Sequence, residues 1–170
     1  FHHHALQRGE GFVMVTGRPG TGKTTLINDI AAQLTSQGHL HATLSSTQVQ
    51  ADDLLRLVVL KFGLNSATEH KAELIHTLET FLHRLQREHR RPLLIIDEAQ
   101  DLPADALEEL RLLTNMQRDS HPLIQIFLVG QEELRHTVMS RSLEQLHQRI
   151  VAACHLAPLN PEACAAYIKH

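Results

Sequence analysis

Residues 17–24 read Gly-Arg-Pro-Gly-Thr-Gly-Lys-Thr, the most informative segment of the sequence. It has the form Gly-x-x-x-x-Gly-Lys-Ser/Thr, in which glycines let backbone N–H groups curl around phosphate oxygens. An apolar run at residues 12–16 precedes it and predicts a buried strand. Apolar residues at helical spacing follow it from Gly22 onward, and Gly38 predicts the end of that helix. The strand and the helix are the context that a phosphate loop requires.

The loop predicts a contact with nucleotide phosphates at each position. Lys23 is expected to reach the β- and γ-phosphates, and the hydroxyl of Thr24 is expected to ligate Mg²⁺. The positive end of the following helix adds to the attraction for phosphate. The predicted nucleotide-binding residues are Gly17, Pro19, Gly20, Thr21, Gly22, Lys23, Thr24 and Thr25.

Residues 93–98 read Leu-Leu-Ile-Ile-Asp-Glu, an apolar strand that ends in two acidic residues. Asp97 is predicted to hold Mg²⁺ together with Thr24, because magnesium takes oxygen ligands and keeps several waters. Glu98 is predicted to polarise the attacking water as a general base. The sequence contains no Asn-Lys-x-Asp motif of the kind with which GTPases read guanine. The adjacent acidic pair favours water as the phosphoryl acceptor over a small molecule.

Strands and helices alternate along the chain, which predicts a mostly parallel five-stranded sheet with helices on both faces, a three-layer α/β/α sandwich. Ligands bind beyond the carboxyl ends of such strands, so the loops after Thr16, Ile96 and Val129 are expected to share one edge. The predicted strands are residues 12–16, 39–44, 93–96, 123–129 and 150–156, and the longest predicted helices are residues 51–62 and 68–90.

Composition narrows the class of protein. The formal net charge of -3 over 170 residues gives no overall attraction for nucleic acid. No apolar run approaches the roughly 20 residues that span a bilayer, and no secretory signal is visible, so a cytoplasmic location without a membrane segment is predicted. In that compartment the two cysteines, Cys154 and Cys164, are expected to be reduced, although a disulfide between them is compatible with their number.

From residue 9 to residue 170 the chain resembles the bacterial AAA+ ATPases of the general secretion pathway protein A (ExeA-like) family, and most closely those associated with exosortase and polysaccharide export. The resemblance rests on several motifs besides the phosphate loop. They are Gly-Glu-Gly-Phe at 9–12, Leu-Ile-Ile-Asp-Glu-Ala-Gln-Asp-Leu at 94–102, Leu-Glu-Glu-Leu-Arg-Leu-Leu-Thr-Asn at 107–115, Leu-Val-Gly-Gln-Glu-Glu-Leu at 128–134, Gln-Arg-Ile at 148–150 and His-Leu-Ala-Pro-Leu at 155–159.

The resemblance implies ATP as the nucleotide, a homo-oligomer, and two further catalytic residues beside Lys23 and Glu98. Gln131 occupies the place of the sensor-1 residue near the γ-phosphate. Arg149 occupies the place of the arginine finger that acts on a neighbouring subunit, with Arg141 and Arg135 as rivals for that role. The nucleotide-binding core is expected over residues 1–158 and the start of a truncated helical lid over residues 159–170.

Three functions stay open at this point. The first is an ATPase that drives or switches envelope secretion, pilus assembly or exopolysaccharide export, with protein partners from that system. The second is a DNA-handling ATPase of the transposition-accessory or origin-recognition type, which a local basic patch supports. The third is a nucleotide-dependent scaffold that binds ATP without turnover. The basic patch comprises His83, Arg84, Arg87, His89, Arg90 and Arg91.

Overall fold

The computed structural model describes residues 11–49 and 54–156. Its strands are β1 (Gly11–Gly17), β2 (Leu40–Ser45), β3 (Pro92–Asp97), β4 (Gln117–Arg118), β5 (His121–Pro122), β6 (Gln125–Gly130) and β7 (Ile150–Leu156). Its α-helices are α1 (Lys23–Ser36), α2 (Leu54–Lys61), α3 (Lys71–Arg87), α4 (Ala104–Leu113), α5 (Glu132–Val138) and α6 (Glu144–His147). Short 3₁₀ turns occupy Ser46–Gln48, Ala99–Asp101 and Arg141–Leu143.

Five of the strands form one sheet in the order β2–β3–β6–β1–β7, and every neighbouring pair is parallel. The predicted parallel five-stranded sheet is therefore confirmed. The next strand of this sheet along the chain after the acidic pair is β6, which lies between β1 and β3. The phosphate loop and the acidic pair therefore leave the sheet two strands apart. The sequence did not predict the antiparallel β4–β5 hairpin, which lies outside the sheet.

The core lies on both faces of the sheet because successive side chains of a strand point to opposite faces. In β1, Val13 and Val15 pack on one face against α1, while Phe12 and Met14 pack on the other. Helices α2 to α6 contribute to the cluster on that second face. The α/β/α layering predicted from the sequence is thus confirmed, with unequal helix cover on the two faces of the described part of the chain.

Helix ends follow the residues that permit a left-handed backbone. Gly38, with φ of 88°, ends α1, and the N–H of His39 donates to the carbonyl of Leu34 at 2.9 Å. The end of α3 has the same pattern with a histidine, since His89 has φ of 57° and the N–H of Arg90 donates to Leu85 at 2.9 Å. Both are Schellman motifs, in which glycine is the usual residue at the left-handed position.

Three expectations need comment. The predicted helix at 51–62 is α2, whose described part begins at Leu54, and the predicted helix at 68–90 is the shorter α3. The expected lid segment lies outside the described residues. The expectation of a reduced Cys154 is wrong for this structure, in which that residue is disulfide-bonded. The chain's other cysteine, Cys164, also lies outside the described residues. In the ranges that the structure describes, no helix has the length and apolar character needed to cross a membrane.

Replacing Leu82 by Ala tests the packing of α3. Leu82 is fully buried in the cluster on the second face. Its truncation is expected to lower the free energy of unfolding by about 2 to 5 kcal/mol, because it removes apolar contacts and leaves a cavity. Leu60→Ala is the matched control, since Leu60 is 54% exposed, and a change within about 0.5 kcal/mol is expected. Equal losses in urea denaturation would contradict this packing.

Candidate nucleotide site

The loop between β1 and α1 depends on three glycines for two different reasons. Gly20 and Gly22 have φ of 81° and 92°, values that residues with a Cβ adopt at a cost. Gly17 has no such φ, but a Cβ there would lie 2.6 Å from Oγ1 of Thr21 and 2.9 Å from the carbonyl oxygen of Leu156. The loop therefore has room for its own turn only if position 17 carries no side chain.

Lys23 begins α1, and its ammonium lies within the loop. Its relative exposure is 9%, and Nζ donates to the carbonyl oxygens of Gly17 at 2.8 Å and Arg18 at 3.0 Å. Thr21 closes the loop by donating from Oγ1 to the carbonyl of Arg18 at 2.7 Å. An ammonium has three N–H donors, so a phosphate oxygen can accept a further bond. The positive charge and the helix N-terminus thus lie at the same place.

Thr24 and Asp97 come from different elements and border the same small cavity of about 30 Å³, together with Thr43 of β2. Their hydroxyl and carboxylate are oxygen donors of the kind that Mg²⁺ takes, with phosphate and water oxygens completing its shell. The donor set therefore fits magnesium held jointly with a nucleotide. Among residues 11–49 and 54–156 no group of three or more His, Cys, Asp or Glu side chains could hold a metal.

Glu98 follows Asp97 directly and has a left-handed backbone, with φ of 52° and ψ of 42°. Its side chain is exposed, and its carboxylate accepts a 2.6 Å hydrogen bond from Nε2 of Gln100. Oε1 of the same amide accepts the backbone N–H of Gln131 at 3.0 Å. One side chain therefore links the acidic pair to the start of α5, where Gln131 is the residue before the helix.

Gln100 was not singled out from the sequence as a site residue. Its position two residues after the acidic pair was visible, but the bridge depends on the 3₁₀ turn at Ala99–Asp101. Gly130 completes the arrangement because a Cβ there would lie 2.4 Å from Oε1 of Gln100. His155 is a second residue that the sequence did not indicate. Its Nδ1 lies 3.0 Å from Oγ1 of Thr16, the residue before the phosphate loop, and 3.4 Å from Oε2 of Glu132.

Arg149 lies at the other edge of the sheet, immediately before β7. Its guanidinium donates to Oγ1 of Thr114 and to Oδ1 of Asn115, each at 3.1 Å, and its carbonyl accepts the N–H of Phe12. Since β7 runs parallel to β1, the start of β7 is remote from the loop that follows β1. The structure therefore brings together Lys23, Thr24, Asp97, Glu98 and the start of α5, and it leaves Arg149 apart from them within one chain.

Comparison with known proteins gives the family. Residues 6–138 match the model of the AAA domain. General secretion pathway protein A of Aeromonas hydrophila is 36% identical over 168 residues, which is 98% of this chain and 30% of that protein. The ATP-dependent target DNA activator B of Escherichia phage Mu is 32% identical over 109 residues, or 64% of this chain and 33% of that protein. The solved structure of the Aeropyrum pernix ORC2 protein has a TM-score of 0.68 at 20% identity, covering 90% of this chain and 44% of that one.

A parallel sheet, a phosphate loop after its first strand and an acidic pair after its third define a P-loop NTPase fold. With most of its length matched by the AAA domain model, the chain belongs to the AAA+ family of P-loop ATPases. The predicted resemblance to general secretion pathway protein A is also confirmed. The chain spans about a third of the length of the curated relatives described above.

Replacing Gln100 by Ala tests the bridge between the acidic pair and α5. The change leaves the N–H of Gln131 without its side-chain acceptor, so a loss of about 1 kcal/mol in the free energy of unfolding is expected. The control is Gln145→Ala, because Gln145 is exposed on α6, with an expected change within about 0.5 kcal/mol. Urea denaturation measures both. Indistinguishable stabilities would show that the bridge contributes nothing to the fold.

Proposed function

We propose that this chain binds ATP with Mg²⁺ and hydrolyses it. The observation that carries the proposal is the convergence at one sheet edge of the Lys23 ammonium, the cavity shared by Thr24 and Asp97, and the carboxylate of Glu98. Binding, metal-ligating and water-activating groups are the three parts that phosphoryl transfer to water requires. These groups come from two stretches of chain, the start of α1 and the end of β3, and the parallel sheet brings them together.

Each group at the site has a separate role in the proposed reaction. Backbone N–H groups of residues 17–25, apart from Pro19, surround the phosphates, and Lys23 neutralises charge on the β- and γ-phosphate oxygens. Thr24 and Asp97 would hold Mg²⁺, which supplies positive charge that the phosphate oxygens share. Glu98 accepts a proton from the water that attacks the γ-phosphate. Gln131, at the start of α5, contacts the γ-phosphate as the sensor residue.

Gln100 acts as a positioning residue for Glu98. Its 2.6 Å hydrogen bond fixes one carboxylate oxygen, which limits the orientations of an otherwise exposed side chain. Because the same amide accepts the N–H of Gln131, a shift of α5 on nucleotide binding would be passed to the general base. The orientation of Glu98 is thereby tied to the position of the sensor residue.

Arg149 serves a neighbouring subunit in this proposal. Its place at the far edge of the sheet excludes contact with the phosphates of its own chain, which suits a finger supplied in trans. Such an interface is heterologous, with the edge of one subunit facing the nucleotide of the next, and it generates a ring or a filament. The bonds to Thr114 and Asn115 anchor the guanidinium on its own chain before it engages.

For the cellular role, we propose an ATPase that drives or switches an envelope secretion, pilus or exopolysaccharide-export system from the cytoplasmic side. The similarity to general secretion pathway protein A over nearly the whole chain supports this assignment. DNA handling is the second candidate, supported by three relatives at 31–32% identity. They are the ATP-dependent target DNA activator B proteins of phages Mu and D108 and a Mu-like DNA transposition protein B of Haemophilus influenzae.

The first experiment measures Mg-ATP and Mg-GTP binding and hydrolysis over a range of protein concentrations. Lys23→Ala is expected to abolish binding, because it removes the charge at the centre of the loop. Glu98→Gln is expected to lower kcat by about 10² to 10⁴ with little change in ATP affinity, because only the general base is lost. Glu69→Gln is the matched control, since Glu69 is exposed and lies outside the site. Unchanged hydrolysis in Glu98→Gln would remove Glu98 from the mechanism, and ATP binding without turnover by the unmodified chain would favour the scaffold.

Mixing two inactive variants tests the role of Arg149 in trans. Arg149→Ala keeps Glu98, and Glu98→Gln keeps Arg149, so mixed oligomers contain some complete sites. In an equal mixture about a quarter of the sites pair an intact general base with an intact finger, and hydrolysis should recover in that proportion. Each variant alone serves as its own control across the same concentrations. Failure to recover, with oligomers present by light scattering, would place the catalytic arginine elsewhere, and Arg135 and Arg141 would be tested next.

A further inference from the structure

A second cavity, of about 570 Å³ and open to solvent, lies at the opposite edge of the sheet from the phosphate loop. It is bordered where β2, β3 and β6 begin, by residues such as His39, Pro92 and Leu123. A six-residue strand spans about 20 Å, so this cavity is separate from the nucleotide site. The end of α3 and the β4–β5 hairpin form its remaining walls.

The cavity is strongly basic. Its polar lining includes three arginines and three histidines, with one carboxylate, Asp119, among them. The chain as a whole has a net charge of -3, so this concentration of positive groups is local and does not reflect the composition. The basic side chains come from three separate stretches of sequence. They are His39, His89, Arg90, Arg91, Arg118 and His121.

Hydrogen bonds hold the walls together. Nε of Arg90 donates to the carbonyl of Gly38 at 2.8 Å, and the N–H of Arg91 donates to Nδ1 of His39 at 2.9 Å. Arg118 of the hairpin donates to Oε1 of Gln86 on α3 at 2.7 Å. The cavity is therefore formed before any ligand arrives, which lowers the entropy cost of binding.

The backbone around the cavity is held in costly conformations. Asp119 and Ser120 form the hairpin turn with φ of 52° and 68°, and His89 has φ of 57°. These are three of the four residues other than glycine with positive φ in the described ranges, and the fourth is Glu98. Asp119 and Ser120 are the central residues of a two-residue hairpin turn, and His89 is the left-handed residue that ends α3, so these two turns fix the walls of the cavity. The turn also sets Arg118 directly opposite His121 in the hairpin.

Burial and neighbouring positive charge lower the pKa of basic residues that line the cavity. Burial lowers the pKa of His39, and the charges of Arg91 and Arg90 lower it further. Burial also lowers the pKa of Arg91, whose guanidinium nevertheless stays charged at neutral pH. Gathering these cations in one place is costly without an anion. Two exposed carboxylates offset part of this charge, since Glu88 lies 3.6 Å from a terminal guanidinium nitrogen of Arg90 and Asp119 lies 3.9 Å from Nε of Arg118.

We propose that this basic cavity binds the phosphodiester backbone of duplex DNA. Guanidinium groups match phosphate oxygens in geometry as well as charge. The side chains of Arg90 and Arg118 remain 41% and 49% exposed, so they can reach a ligand at the mouth of the cavity. Among the described residues that line it none is Phe, Tyr or Trp, which removes the stacking surface that single-strand binders use. The contact reads phosphate and not sequence.

The basic patch seen in the sequence is part of this surface. Arg87, in the last turn of α3, is exposed and follows Gln86, which borders the cavity. The guanidinium of Arg84 packs over the ring of Phe81 on the same helix, 5.2 Å from the ring centre. A ligand with several phosphates in a row therefore fits better than an isolated phosphate. The inference stands apart from ATP hydrolysis, and it gives the DNA-handling candidate a defined surface.

Fluorescence anisotropy with a labelled DNA duplex tests the proposal. With three arginines on phosphates, affinity is expected to fall roughly 10- to 60-fold between about 50 and about 200 mM salt. The variant Arg90→Gln with Arg118→Gln should bind at least about 10-fold more weakly and lower the salt slope by about one per arginine. Two duplexes of unrelated sequence should bind alike. The variant also loses the exposed hydrogen bonds to Gly38 and Gln86, so the melting temperature should fall by no more than a few degrees. Mg-ATP binding should stay unchanged, which shows that weaker duplex binding does not come from unfolding.

Two controls locate the contact. Arg135→Gln removes one exposed arginine from α5, at the nucleotide edge, and should leave duplex binding intact. Lys23→Ala should lose ATP binding but keep duplex binding. The proposal for the ATP site and the proposal for the basic cavity can therefore fail independently. The proposal is overturned if the duplex does not bind at low salt, or if the double variant binds as the original chain does. If polyglutamate binds as tightly as the duplex, the ligand is an acidic protein and not DNA. If free triphosphate binds the cavity directly and displaces the duplex, the ligand is a small anion.

Discussion

The parallel hydrogen-bonded register of β1, β6 and β3 determines where the functional segments leave the sheet. Thr16 is paired with Gly130 in this register, and Ile96 is paired with Leu128. Three chain segments therefore leave the sheet at one level and on one side. A slip of one residue in either pairing would turn every side chain of a strand to the other face, so both hydrophobic clusters enforce the register. The geometry of the site is a consequence of core packing.

The same constraint gives the molecule two chemically different edges. At the carboxyl ends of the strands, acidic and hydroxyl groups lie next to a single buried ammonium, an arrangement that suits a metal and a polyphosphate together. At the amino ends, three arginines and three histidines border one cavity, together with a single carboxylate, that of Asp119. Since the sheet separates the edges by about 20 Å, screening at physiological salt leaves each edge nearly independent of the other's charge. Communication between them must pass through packed elements.

Much of the nucleotide edge could be predicted from the sequence because its signals are local. A glycine-rich loop between an apolar run and a helical pattern, and an acidic pair after a second apolar run, specify both their own conformation and their place on a parallel sheet. The bridge made by Gln100 could not be predicted, because it joins the acidic pair to Gln131 across a sequence separation of 31 residues. The roles of Gln131 and Arg149 rested on resemblance, and they stay predictions.

The basic cavity illustrates a different limit. Only the basic cluster at the end of α3 is visible in the sequence, and a solvent-exposed helix end accounts for such a cluster equally well. Arg118 and His39 are isolated cations in the sequence, and only the fold brings them to that cluster. The hairpin that carries Arg118 has two-residue strands, too short for any periodic pattern to register. The disulfide state of Cys154 likewise depends on spatial proximity and not on cysteine count.

Because position 130 is a glycine, the packing around it restricts which substitutions this protein tolerates. Any larger residue there would collide with the amide of Gln100, whose backbone nitrogen would also lie only 3.2 Å from the added carbon. Harm from a substitution at position 130 therefore depends on what position 100 carries, and a shorter side chain at 100 relieves part of the collision. The two positions are bound by epistasis, although 30 residues separate them. A lineage that enlarges position 130 is therefore expected to have shortened the side chain at position 100 first, whereas position 100 can change while Gly130 remains.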